Sequence, residues 1–344
     1  MSSSLLKRPL NPRRVITVSL SMSLLVLLTM GASLILGTAE VGIDKVLDML
    51  SGSLKADDPA RLILLRVRLP RIILAGLVGF SLSMGGTVFQ ALLRNPLADP
   101  FILGISSGAA FGAVIGIVLG LSFALGVPLM SFAGALVTIY LVMVLGSRKM
   151  GVESSTILLT GVIINAFFTA IIMFFVSTAF DSRLHRMLFW LYGDLSQSRY
   201  GPLAIIGPAL VLVSIVLYGY SKELNLITAG EETALQLGVD VEKAKKVCLV
   251  LVSLVIGVVV SFSGLIGFVG LVVPHMGRMV FGSDHRLLIP VSAFGGAIFL
   301  IVADTLARTL VSPSELPVGV ITAFAGAPFF IYLLKKRGSG WSRS

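Results

Sequence analysis

Charge is scarce in this chain: of its 344 residues, 13% are Asp, Glu, Lys or Arg, 56% are hydrophobic, and the mean hydropathy is +0.99. A soluble fold of this length needs far more charge to cover its outside, so the soluble globular class is excluded. Cysteine is almost missing as well. The single Cys248 makes no internal disulfide, opens an apolar run and reads as a packing residue, so it says nothing about redox compartment. His185, His275 and His285 lack the close spacing of a metal site, and no resident metal or cofactor is expected on this chain. No G-x-x-x-x-G-K-[ST] stretch occurs, so the chain lacks the backbone cradle and lysine that hold ATP phosphates; a non-catalytic role is expected. Acidic residues are nearly absent from the centres of the apolar runs, which removes the ion or proton relay of a secondary transporter. Basic residues are not interleaved with aromatics, so nucleic acid is not expected as a partner.

What is present is a series of apolar runs long enough to cross a hydrocarbon layer of ~30 Å as helices. Val15–Leu36, Ile72–Leu92, Phe101–Leu121, Phe123–Leu145, Ser155–Val176, Leu203–Tyr220, Val247–Val260, Leu265–Val280, Leu288–Leu306 and Val318–Leu334 predict an all-α polytopic membrane protein of about ten spans, one domain over 1–344. The third, seventh and eighth have the most blurred ends. The runs are too long, and alternate too little, for a transmembrane barrel. The first run is read as a retained span, since no small-x-small cleavage site closes it. Gly37–Val67 predicts a loop with a short amphipathic helix at Ile43–Leu50, and Pro70 suits the first turn of the second span. With the amino and carboxyl ends placed in the cytoplasm, 17 of the 27 basic residues fall on the inner side. Six of the remaining ten crowd between Lys45 and Arg71, a dense exception that suits a docking surface.

Two polar stretches interrupt the apolar pattern. In "QALLRNPLADPFILG", Arg94 reaches water or headgroups, Asn95 caps a turn, and Pro96 and Pro100 fix the exit angle between the second and third spans. Residues 221–246 form the longest polar segment. Its "TAGEETALQLGVDVEKAKK" predicts a short helix over Glu231–Leu237 with Ala234 and Leu237 on one face, a turn at Gly238 and a second short helix over Glu242–Lys246. At the opposite boundary Arg68 and Arg71 are three residues apart and adjacent on a helix, and Asp304 lies four before Arg308, spaced for an intrahelical ion pair.

The segments "RVRLPRIILAGLVGFSLSMGGTVFQALLRNPLADPFILGISSGA", "GLIGFVGLVVPHMGRMVFGSDHRLLIPVSAFGGAIFLIVADTLART" and "ELPVGVITAFAGAPFFIYLL" resemble the iron-siderophore, haem and cobalamin permeases of binding-protein-dependent ABC importers. The resemblance extends from the second span almost to the end of the chain. It implies the type II ABC importer architecture in a bacterial inner membrane: a ten-span subunit pairing with a second copy, two cytoplasmic ATPase subunits that carry ATP and Mg, and an external binding protein. It further implies that residues 221–246 are the coupling loop, with Ala234, Leu237 and Gly238 entering a groove on the ATPase. Arg68, Arg71 and Arg308 would meet acidic residues of the binding protein, with snorkelling to the interface as the bland alternative. A path between the two copies would run beside the fifth span, where Thr160, Asn165 and Thr169 are candidates; bonding to neighbouring helices is the alternative. The cargo expected is an iron chelate, haem or ferric siderophore, with cobalamin as alternative. A secondary transporter or a membrane scaffold without transport is the reading from another class.

Overall fold

Asn11 opens the first helix, its side chain accepting from the Arg13 N–H at 3.2 Å, and Pro12 occupies the first turn, where a missing N–H costs nothing. The helix that follows, α1 (Pro12–Ile35), coincides with the first expected span. The computed structural model describes residues 11–341 apart from Glu40, Ala56, Pro100, Ile102, Lys149, Met150, Glu153 and Asp181. The expected amphipathic helix is α2 (Ile43–Ser51), which Gly52 ends at a left-handed φ of 77°.

The second span starts earlier than expected. Asp58 accepts from the Ala60 N–H at 2.9 Å and Pro59 takes the first turn, so a helix begins inside the segment expected to be loop. From there α3 (Pro59–Leu62), a π-helical turn over Ile63–Arg68 and α4 (Leu69–Leu92) continue as one helix of 34 residues. After it come α5 (Ile105–Val118), α6 (Gly126–Gly146), a tiny antiparallel ladder of β1 (Ser147–Arg148) and β2 (Gly151–Val152), and α7 (Ser154–Thr178). The amphipathic α8 (Ser182–Leu191) was not anticipated; it buries Met187 and Trp190.

The remainder consists of α9 (Tyr200–Gly219), α10 (Ser221–Ala229), α11 (Glu231–Gln236), α12 (Val241–Ser263), α13 (Val269–Phe281), α14 (His285–Thr309) and α15 (Val318–Trp341). The second short helix expected at Glu242–Lys246 is the first turn of α12 instead. Asp240 caps that helix, accepting from the Lys243 N–H at 3.0 Å, which makes the seventh span longer than its apolar run. Each expected span holds a helix. Among the described residues seven helices are long and apolar enough to cross a membrane, and Ile105–Val118, Val269–Phe281 and Val318–Leu333 are shorter apolar helices.

Helix α4 is the centre of the bundle, with 78% of its apolar window buried against 0% for α1. Its close approach to α14 is set by glycine: a Cβ on Gly79 would lie 2.2 Å from the Gly296 carbonyl oxygen, and one on Gly296 equally close to that of Gly79. Without a hydrophobic drive between helices in lipid, such backbone contact supplies the dispersion that holds spans together. The bundle therefore has two ends bound by α4. One, the α8 end, gathers the end of α1, α3, α8 and the segment before α15. The other, the α11 end, gathers the end of α4, α10, α11, the end of α13 and the start of α14.

Candidate functional site

The polar segment over 221–246 is a helix–turn–helix. In α10, Leu224 and Ile227 are fully buried, and Asn225 ties the element to α14: its Nδ2 donates to Asp284 Oδ1 at 2.9 Å while its Oδ1 accepts from the His285 backbone N–H at 2.9 Å. Asp284 caps α14 and is held down to about 2 by hydrogen bonding from Arg286, with Asn225 adding to it, so this tie stays charged throughout the physiological range. Gly230, at φ 151°, turns the chain into α11. That helix ends in a Schellman motif: Val239 N–H donates to Ala234 O at 3.0 Å, Gly238 N–H to Leu235 O at 2.9 Å, and Gly238 takes a left-handed φ of 84°.

Ala234 and Leu237, expected on one outward face, part company. Ala234 is fully buried with Ile227, Val241 and Ala244, a small core of the chain's own, whereas Leu237 is 63% exposed and Leu235 is 59% exposed. Leu237 caps the helix rather than continuing it, so three-residue helical spacing no longer governs its direction. Gly238 has open space where a Cβ would stand, so glycine is required there by its φ. Lys245 braces the protrusion through Glu231 at 2.7 Å. The result is a compact knob, held by its own small core, that presents an exposed leucine.

Beside it, the turn after α4 is held by its own side chains. Arg94 is exposed and has a φ of 48°, Asn95 Oδ1 accepts from the Leu97 N–H at 2.9 Å, and Asp99 Oδ1 accepts from the Phe101 N–H at 2.9 Å. Pro96 is exposed within this turn; Pro100 lies outside the described residues. Burial pushes the Asp99 carboxyl up to about 6, the Phe101 bond opposing it.

At the α8 end the three candidate docking arginines face inward. Arg68, Arg71 and Arg308 are 3%, 6% and 4% exposed. Arg68 caps α1, its Nη1 donating to Leu34 O at 2.6 Å and Ile35 O at 3.2 Å and its Nη2 to Ala39 O. Arg71 spans Asp304 at 2.9 Å and Glu315 at 2.6 Å; Arg308 meets the other oxygen of Asp304 at 3.1 Å and donates to Ser33 Oγ at 2.9 Å. Asp304 is 1% exposed and bonded to both guanidiniums, which is the ion pair its spacing predicts. Contact of these arginines with a partner, or snorkelling, would compete with the acceptors that already engage them inside the chain.

The three path candidates on α7 divide. Asn165 and Thr169, four residues apart, lie on its exposed face with Phe167 and Met173, while Thr160 is 9% exposed and turned into the bundle. At about 100° per residue, a separation of five or nine places Thr160 roughly 140–180° from the other two, so they do not share a side.

Comparison with known proteins identifies the family. The model of the FecCD transport family matches residues 24–336. The chain is 45% identical over 280 residues to the cobalamin import system permease protein of Halobacterium salinarum, covering 81% of this chain and 75% of that protein. It is 39% identical over 309 residues to the hemin transport system permease protein of Yersinia pestis, covering 88% and 92%. The solved structure of a metal-chelate type ABC transporter in an inward-facing conformation superposes with a TM-score of 0.82 at 31% identity, over 93% of this chain and 99% of that one. The chain belongs to the FecCD transport family.

In this FecCD-family permease, sequence reasoning passed over Asn225 and Asp284, the pair that fastens the knob to α14. The "SDHR" stretch was a legible cap signal for Asp284, an aspartate directly before a helix. Nothing local marked Asn225, whose partners are 59 and 60 residues away.

Proposed function

We propose that this permease passes an iron chelate, haem or ferric siderophore, through an ABC importer. Two cytoplasmic ATPase subunits bind and hydrolyse ATP with Mg, and an extracytoplasmic binding protein delivers the chelate. On this reading both chain ends and the α11 end face the cytoplasm of a bacterial inner membrane. The observation that carries the proposal is Leu237, 63% exposed on a knob whose base is buried in its own small core. A leucine in that position suits an apolar recess on a partner, and a rigid base transmits displacement instead of absorbing it. Closure of the ATPase pair then moves the knob as a body and biases the bundle between inward- and outward-facing states.

A second copy is proposed against the exposed apolar face of α7, where Ile163, Phe167 and Met173 are 60%, 63% and 63% exposed, with Asn165 and Thr169 placed toward the path. The binding protein is placed at the α8 end. There Arg68, Arg71 and Arg308 fix the positions of α1, α4 and the segment before α15, shaping the docking surface from beneath. Cobalamin is the second reading for the cargo, favoured by the similarity to the Halobacterium permease.

The test is uptake into proteoliposomes containing the permease and its ATPase, with the binding protein added outside and haem, a ferric hydroxamate or cobalamin supplied in turn. ATP-dependent uptake of an iron chelate is expected, and uptake of cobalamin alone moves the assignment to the second reading. Leu237→Asp should lower ATPase co-purification and uptake by more than tenfold while leaving membrane insertion intact, since it sets a charge into an apolar recess. Unchanged co-purification and uptake would remove Leu237 from the interface.

A further inference from the structure

At the α11 end, the last turns of α4 and α13, the end of α10 and the start of α14 enclose a cavity of about 430 Å³. Arg94, Arg278, His275, His285, Thr228 and Ser283 line it, and among the described residues no carboxylate does. Asp284, between the lining residues Ser283 and His285, is bonded to Arg286 and Asn225, and Asp99 to the Phe101 N–H. Arg278 has a single neutral acceptor. Its Nη2 donates to Gln90 Oε1, which is aimed there because Gln90 Nε2 donates to Gly270 O at 3.0 Å; Arg278 Nη1 is buried with no acceptor. Arg94, exposed and held in a left-handed turn, adds a second guanidinium to the lining. The ring of His285 is fixed by its Nδ1 contact with Asn225 Oδ1 at 2.7 Å.

We propose that this cavity binds a phosphate-class anion, either the headgroup of an anionic phospholipid or free phosphate. Two guanidiniums without a carboxylate exclude a metal cation and favour an anion. A buried guanidinium N–H without an acceptor is costly to leave unpaired, and an oxyanion supplies the missing acceptor. Guanidinium forks match phosphate oxygens, and two of them, one on α13 and one in the turn after α4, suit a tetrahedral acceptor. Basic pockets between helix ends at a membrane boundary lie at the depth of phosphodiester headgroups. The volume is in the range of small-ligand sites. Bound there, the anion links the end of α4 to the end of α13, directly behind the Asn225–Asp284 tie that carries the knob.

The full-length permease is reconstituted in phosphatidylcholine nanodiscs and its thermal unfolding is followed while inorganic phosphate is titrated. In parallel, discs containing phosphatidylglycerol are compared, with native mass spectrometry counting retained lipid. Saturable stabilisation by at least one probe is expected, weakened about tenfold in Arg94→Gln and in Arg278→Gln and unchanged in Arg286→Gln, whose side chain lies outside the cavity. A response to phosphate alone assigns a soluble anion, and a response to phosphatidylglycerol alone assigns the lipid. If Arg278→Gln does not fold, the exposed Arg94 still carries the test. The proposal is overturned if neither probe stabilises the wild type more than Arg94→Gln, or if Arg286→Gln weakens binding as much as Arg94→Gln.

Discussion

At the α8 end, Arg71 and Arg308 divide one buried aspartate between them and Glu315 supplies a second carboxylate, whereas at the α11 end Arg278 meets only the amide of Gln90. The first cluster is closed: its donors end on carboxylates, on the serine of α1 or on the carbonyls that finish α1. The second is open, next to a cavity and beside a knob with an exposed leucine. Charge taken out of water is tolerated where partners neutralise it, and it then fixes geometry. Charge left partly unpaired points toward something outside the chain. One end of the bundle is thus riveted, and the other leaves a guanidinium N–H without an acceptor.

The sharpest way to break this comparison is Asp304→Asn. The variant keeps an acceptor but removes the negative charge that Arg71 and Arg308 share, and removing one partner of a buried pair costs about 3–5 kcal/mol. The expected outcome is loss of most folded, detergent-extractable protein, read as the monodisperse fraction and the melting temperature. Glu315→Gln, whose parent side chain is 36% exposed, should cost about 1 kcal/mol or less. Equal stability of Asp304→Asn and wild type would show that the α8 end is not held by its charges.

At the α11 end Asp99 is bonded to the Phe101 N–H and not to a guanidinium. Burial lifts the Asp99 carboxyl to about 6, above the ~3.9 of an unfolded chain. The folded state therefore holds the proton more tightly. The stability that this group contributes is full below about pH 4 and is lost as pH rises through about 6. Above that, the cost levels off on the order of 2–3 kcal/mol. Asp99→Asn keeps an oxygen for the Phe101 N–H and removes the ionisation, so it should raise the melting temperature at neutral pH and flatten the fall between about pH 4 and 7. Parallel melting curves for variant and wild type across that range would sink this account.

The fold was legible where one physical signal dominates. Apolar runs placed a helix at every expected span, because a bilayer demands continuous apolar length. Of the elements with mixed polarity, α2 and α11 were legible and three were not: α8 and α10 are short, and α3 begins at an Asp–Pro pair inside the segment expected to be loop. Direction was less legible than position. Spacing gave the adjacency of Arg68 and Arg71 but not the rotation of their helix, and the acids that draw Arg71 inward are 233 and 244 residues away. Ala234 was misread for a related reason, since its role depends on Ile227, Val241 and Ala244 folding back over it. The Asp304–Arg308 pair, wholly within one helix, was readable from four-residue spacing alone.

The smallest effect tests what glycine does on the knob. Gly238 has no atom within 4 Å of a built Cβ, yet its φ is 84°. Two explanations for glycine make different predictions. If the left-handed turn alone requires it, Gly238→Ala should destabilise the knob by about 1–2 kcal/mol, and Gly238→Asn by less, because asparagine tolerates that region. If instead an ATPase backbone approaches closely, any side chain obstructs it, and Asn should impair coupled uptake at least as much as Ala. Hydrogen exchange across residues 231–239 reads the first cost, and ATP-dependent uptake reads the second. Asn recovering both exchange protection and uptake relative to Ala assigns the glycine to the turn. Protection recovered without uptake assigns it to the partner, which would extend the open character of the α11 end from Leu237 to the backbone beside it.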